Sequence, residues 1–344
     1  MNKEFIPSPN NRKSNIQNLQ CVVISLLVFE LVVAGMVAEA QQPTKIPRVG
    51  YVSATGDPKT PGPQIEGFRQ GLRDLGYIEE KNILVEYRYI GGKSDSIPSL
   101  VAELVLLKVD VLVLGAQPAI RAAKQATKTI PIVVVTTQDP VAAGFVDSLA
   151  RPGGNVTGVT TLQREVSGKR LELLMEAVPK ISRVGALMRA GQARNDFKWY
   201  EAPARALNIE LQLFEVRAPN PDFDAAFQAV AKWRANALIT VSGSLFDQYI
   251  KRIAELAIKN RLPSMHDVSR YVEAGGLMSY SADDAESYRR AAYHVDRIFK
   301  GTKPADLPVE QAKKFEFIIN LKAAKQMGLT IPPNVLARAD RVIR

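Results

Sequence analysis

Small polar side chains recur in this chain where apolar runs stop. Ser53 and Thr55 follow Val49–Val52, Gln117 follows Val111–Leu114, and Thr137, Gln138 and Asp139 follow the β-branched run Ile130–Val135. Further along stand Gln192, then Ser242 and Ser244, then His266, and finally Tyr280. Hydroxyls and exposed backbone amides suit a carboxylate, an acid such as Asp139 suits an ammonium or another donor, and Tyr280 can stack on a planar group or plug the rim. Each such residue alone is also a common helix cap. Together they describe a binding rim rather than a reaction centre.

Reaction chemistry has little to work with. One cysteine, Cys21, and two histidines, His266 and His294, leave no disulfide, no cysteine-rich zinc site and no Cys–His pair. No G-x-G-x-x-G or G-x-x-x-x-G-K-[ST] stretch occurs, so nucleotide phosphates lack their usual cradle. No G-x-S-x-G elbow is present, and Ser242-Gly243-Ser244 reads as a hydrogen-bonding cluster. No cofactor or metal is expected, and an enzyme is disfavoured. His266 reads as a packed core or rim residue, and His294, beside Asp296 in a helix, as a surface residue.

The rim needs strands to build it. Ile130–Val135 is an apolar run bounded by turn signals, the pattern of a strand buried on both faces. Before it, strand signals at Arg48–Ser53, Asn82–Ile90 and Asp110–Leu114 alternate with helical ones at Gln64–Leu75, Ser96–Leu107 and Ala119–Thr127. After it come a short helical stretch at Ala142–Leu149, the turn Ala150–Asn155 and a strand at Val156–Thr160. The alternation then restarts. Arg183-Val184-Gly185 echoes Arg48-Val49-Gly50, and further β-α units run to Tyr280. A helix is expected over Asp283–Lys300, a strand over Phe315–Asn320, and a final helix over Pro333–Val342. The implied fold class is α/β: two Rossmann-like lobes with parallel sheets, ligands binding at the carboxyl ends of the strands.

The 344 residues suffice for two such domains. A net charge of +10 is spread among acids, as at Arg73-Asp74 and Lys251-Arg252 with Glu255, so no nucleic-acid partner is indicated. Residues 1–40 differ from the rest. Lys3, Arg12 and Lys13 precede an apolar run from Cys21 to Val37, and Ala38-Glu39-Ala40 forms a cleavage pattern. This reads as an export signal cut near Ala40, followed by a tether at 41–47, with a periplasmic destination.

Several stretches resemble those of the solute-binding proteins of ABC transporters, in the subgroup related to tryptophan- and tyrosine-binding components. They are Ile130–Val141, Ser148–Gly158, Gly168–Leu174, Glu273–Tyr280, Lys303–Val309, Phe315–Asn320 and Gly328–Pro332. The resemblance implies a type I periplasmic-binding fold whose lobes, joined by a three-crossover hinge, close on a ligand. On this view lobe 1 is 48–158 plus about 281–305, lobe 2 is 159–280 plus about 306–344, and Arg151–Gly158 is the first crossing. Ser53, Gln117 and Asp139 carry over as first-lobe rim residues, while Gln138 and His266 stand where members often have serine and tyrosine. The implied partners are a small organic solute, amino-acid-like or aromatic, and ABC permease and ATPase subunits, with the chain a monomer. A ligand-sensing module of a signalling receptor is the alternative on the same fold.

Overall fold

The structure, a computed structural model, describes residues 45–344 apart from 55–56, 92–93, 162–165, 192 and 242–245. The expected leader and most of the tether lie outside the described residues, as do Thr55, Gln192, Ser242 and Ser244. Among the described residues no helix is long and apolar enough to cross a membrane.

The first half alternates as its periodicity requires: β1 (Arg48–Ser53), α1 (Pro63–Asp74), β2 (Leu84–Tyr89), α2 (Ile97–Leu106), β3 (Val111–Leu114), α3 (Gln117–Ala126), β4 (Ile132–Thr136) and β5 (Val156–Thr160). The second half repeats the scheme with α4 (Ser167–Ala177), β6 (Arg183–Arg189), α5 (Ala193–Ala206), β7 (Glu210–Val216), α6 (Phe223–Lys232) and β8 (Ala237–Thr240). It continues through α7 (Ile250–Lys259), β9 (Ser264–His266), α8 (Arg270–Glu273) and β10 (Met278–Ala282). The remainder is α9 (Asp284–Phe299), β11 (Glu310–Gln311), β12 (Phe315–Asn320), α10 (Leu321–Met327), α11 (Pro333–Leu336) and β13 (Arg341–Ile343).

Two sheets result. Six strands are ordered β11-β5-β4-β3-β1-β2, and seven are ordered β13-β12-β10-β9-β8-β6-β7. The two Arg-Val-Gly echoes open β1 and β6, which hold equivalent places between β2 and β3 and between β7 and β8. Every residue of β4 is buried, because helices cover both faces of its sheet. Ile132 and Val134 join a cluster with Val101, Leu104 and Ile120, whereas Val133 and Val135 join Ile65, Phe68 and Ala291 on the opposite face. On that second face α1 lies against α9. A side chain at Gly67 would place its Cβ 2.2 Å from the Ala285 carbonyl oxygen, so glycine permits this close approach.

Four expectations are corrected by pairing. The Ala142–Leu149 segment forms turns instead of a helix, because the Asp139 carboxylate accepts from the Val141 and Ala142 amides and fixes a turn there. Arg151–Gly158 is not a crossing: Val156–Gly158 pairs with Ile132–Val134 inside the six-stranded sheet. β11 pairs with β5, so the six-stranded half reclaims residues past 306 and the third crossing falls at 312–314. The tail ends in β13, paired with β12 and anchored by Asp340, whose carboxylate accepts from the Phe317 amide. His294 also differs from its expected place. It is fully buried, its ring nitrogens 3.1 and 3.2 Å from the Arg290 and Pro308 carbonyls, because the chain folds back over α9 to deliver β11.

Candidate functional site

All strands of the six-stranded sheet are parallel, so their carboxyl ends share one edge. In the other sheet β6 to β10 are parallel, and β12 runs antiparallel to β10 with Phe315 opposite Ala282. The chain passes between halves three times: after β5, after β10 and after β11. Each passage leaves one carboxyl edge and enters the other half at its own. The passages are bonded to one another. The Ala312 amide donates to the Thr160 carbonyl (2.9 Å) and the Asp283 amide to the Lys314 carbonyl (3.0 Å), while the Lys314 ammonium meets the Asp283 carboxylate at 2.8 Å. The two carboxyl edges therefore face a common cleft closed at one side by the crossings, where an open α/β sheet binds its ligand.

On the six-stranded side several strand ends come together. β1, β3 and β4 are neighbours, so Ser53, Gln117 and Thr137–Asp139 follow one edge at strand spacings of about 4.8 Å. Ser53 is buried, Gln117, Gln138 and Asp139 are half-buried, and Thr137 is exposed. Asp139 already uses one carboxylate oxygen for its turn, and the Gln138 carbonyl accepts from the Thr160 hydroxyl.

The other side is sparser. Tyr280 is half-buried on β10 and stacks on Phe315 with ring centres 5.7 Å apart, beside the crossings. His266 lies wholly inside the sheet. Its Nδ1 is 2.8 Å from the Thr240 hydroxyl, its Nε2 is 2.9 Å from the Ser264 hydroxyl, and its ring stacks on Tyr271 at 4.4 Å. Burial pushes its pKa down to about 3, so the ring is neutral and presents no nitrogen to the cleft.

Further side chains beside the crossings were not expected from the sequence to have a role there. Asp283 caps α9 by accepting from the Glu286 amide, which leaves the adjacent Asp284 for another role. The Gln64 side-chain amide, at the start of α1, donates to Asp284 Oδ2 at 3.0 Å. One turn along α9, the Tyr288 hydroxyl sits over the end of β3, where a Cβ on Gly115 would lie 1.9 Å from it. Tyr51, fully buried on β1, has its ring 5.9 Å from that of Tyr288. Burial raises the pKa of Asp284, with Gln64 and the Arg270 guanidinium drawing it back down. Burial likewise raises Tyr288, and the Asp284 charge adds to it. The helical face Tyr288, Ala292, Val295 and Phe299 is periodic in the sequence, and stepping it back by four reaches Asp284.

Arg170 is another, on α4 just after the first crossing. It is 1% exposed, and its Nε donates to the Tyr280 carbonyl (2.8 Å) and its Nη1 to the Tyr200 hydroxyl (3.1 Å). It thus ties the first passage to the second. Among the described residues no group of three or more His, Cys, Asp or Glu is placed to hold a metal. A depression of about 570 Å³ at Asn220–Asp224, Tyr249 and Arg252 follows β7, the edge strand farthest from the crossings. What the cleft offers is hydroxyls, amides and charges of both signs, chemistry suited to polar groups.

Residues 62–343 match the family model described as ABC transporter substrate binding protein. A tyrosine-binding protein of Clostridioides difficile (strain R20291) is 25% identical over 266 residues, 77% of this chain and 76% of that one. A solved conserved domain protein of Vibrio cholerae O1 biovar El Tor str. N16961 is 30% identical with a TM-score of 0.76, covering 87% of this chain and 100% of its own. A Streptococcus pneumoniae ABC domain solved in complex with L-Trp is similar in fold, with a TM-score of 0.75 at 24% identity over 86% of this chain and 99% of that one. The two mostly parallel sheets joined by three passages are the type I periplasmic-binding architecture. With nearly the whole described region matched, the chain belongs to the ABC transporter substrate-binding protein family.

Proposed function

We propose that this protein captures a small organic solute, amino-acid-like or aromatic, between its two carboxyl edges and delivers it to an ABC permease outside the cytoplasm. On this reading the leader is removed near Ala40 and residues 41–47 tether the folded part. The observation that carries it is the facing of two carboxyl edges across three bonded passages. A solute touching both edges favours the closed arrangement by the difference in its affinity for the two states. The rim at Ser53, Gln117 and Thr137–Asp139 supplies one half of the contacts, with Tyr280 at the hinge side.

The tyrosine-binding relative and the L-Trp complex support an aromatic amino acid as the first solute to try. The test is mass spectrometry of whatever is released when the purified protein is denatured, followed by calorimetric titration of that compound and of the aromatic amino acids. Binding without turnover is expected. Chemical conversion of the bound compound, or no binding of any small solute, would overturn the reading.

A further inference from the structure

Past residue 47 the most exposed large aliphatic side chains among the described residues are Leu106 (81%), Ile78 (50%), Val141 (40%) and Leu107 (38%). All but Val141 stand at the amino ends of neighbouring strands, on the edge of the six-stranded sheet opposite its carboxyl edge. Leu106 and Leu107 close α2 ahead of β3, Ile78 opens the turn ahead of β2, and β1 lies between those strands. The segments are bonded to one another there. The Leu84 amide donates to the Pro47 carbonyl (2.9 Å) and the Asp110 amide to the Arg48 carbonyl (2.7 Å), while the Arg48 guanidinium reaches the Leu107 carbonyl at 3.5 Å. The fold makes little use of these three side chains. α2 packs through Ile97, Val101 and Leu104, and its last turn carries leucine where a helix terminus favours a cation.

Charge at this edge is one-sided. Lys81, Lys108, Lys128 and Lys303 are exposed in the segments that lead into β2, β3, β4 and β11. Two acids of the same segments are engaged within the fold: Glu79 meets Arg69 at 3.3 Å, and Asp110 accepts from the Arg48 amide at 2.8 Å. Lys300 is likewise taken up by Asp296 at 2.9 Å, and Glu80 and Asp306 stay exposed.

We propose that this amino edge is a docking surface for an anionic lipid bilayer. Leu106, Leu107 and Ile78 enter the headgroup region, and the lysines around them meet the lipid phosphates. A protein partner fits less well, because protein interfaces favour arginine and aromatic side chains and are depleted in lysine. The carboxyl edge of the same sheet points the other way, so contact with lipid here leaves the solute-binding edge uncovered. The proposal stands apart from solute capture and needs nothing bound in the cleft.

The test is flotation of the purified protein with vesicles of phosphatidylglycerol and phosphatidylcholine in equal parts, against vesicles of phosphatidylcholine alone. Wild type is expected to bind the mixed vesicles about tenfold better or more, and to lose that advantage in about 0.5 M salt, where charges are screened within a few ångströms. Each lysine at an anionic surface strengthens binding about fivefold, so K81S/K108S should weaken it about 20-fold. L106S/L107S should weaken it about tenfold through lost apolar contact. K251S/K259S removes the same charge from the exposed face of α7 in the other half and should leave binding within about twofold of wild type. All variants share residues 1–46, so the differences between them report the edge alone. Circular dichroism checks folding, and L106S alone replaces the double variant if that does not fold. A wild type indifferent to phosphatidylglycerol overturns the proposal. So does equal weakening by the two lysine pairs, which would mark binding by net charge alone, and so does undiminished binding in the leucine variant.

Discussion

The buried His266 sets a measurable acid limit on the fold. In the folded chain its pKa is pushed down to about 3 by burial, from the ordinary 6.5 it regains on unfolding. Between those values the unfolded state binds a proton that the folded state refuses, so stability falls as pH falls. Above about 6.5 both states are neutral and the effect vanishes. Integrating at about 1.4 kcal/mol per pH unit, the histidine removes about 2.7 kcal/mol between about pH 7.5 and pH 4.5. Urea unfolding of wild type and His266→Gln at both pH values isolates this share, since His294 and the carboxylates titrate in both proteins. The variant should be less stable at pH 7.5, where it loses the Thr240 and Ser264 geometry and the Tyr271 stack. It should also lose about 2.7 kcal/mol less than wild type on acidification. Parallel pH dependences would refute the claim that this ring is held neutral in the core.

Three other outcomes are expected. Gly115→Ala drives a methyl into the Tyr288 hydroxyl and should cost about 1–3 kcal/mol by overpacking; Tyr288→Phe in the same chain should recover part of that, measured by a double-mutant cycle in urea. Asp139→Ala removes the acceptor of two turn amides and should cost about 1 kcal/mol, whereas Asp139→Asn keeps an acceptor. Solute affinity unchanged in Asp139→Asn would mean that the acid serves the turn alone. Arg170→Met removes the donors to Tyr280 and Tyr200 and should lower unfolding stability by about 2–4 kcal/mol; a change within 0.5 kcal/mol, about the level of an ordinary surface substitution, would show that the tie between passages carries no stability.

The alternation of elements was readable because burial patterns are local. Ile132–Thr136 is apolar nearly throughout because helices cover both faces, and Tyr288, Ala292 and Val295 repeat at helical spacing because one face of α9 meets the sheet. Strand ends are marked by where apolar runs stop, so Ser53, Gln117 and Thr137–Asp139 could be placed there before any pairing was known. Short strands escaped this reading. β11 and β13 are two and three residues long, too brief for a period to emerge, and only their partners β5 and β12 make them strands.

His266 and Asp284 divide the two kinds of information most clearly. Both are polar residues near the end or start of an element, and composition treats them alike. The fold buries His266 between two hydroxyls of adjacent strands and sets Asp284 at a passage between halves, where it accepts from the Gln64 side-chain amide. Local periodicity establishes which segments are strands and helices, because covering a face is a property of a few neighbouring residues. Which strand ends meet depends on where the chain crosses from one sheet to the other. That pairing is long-range, and it alone decides which polar side chain is sealed in the core and which one a solute can reach.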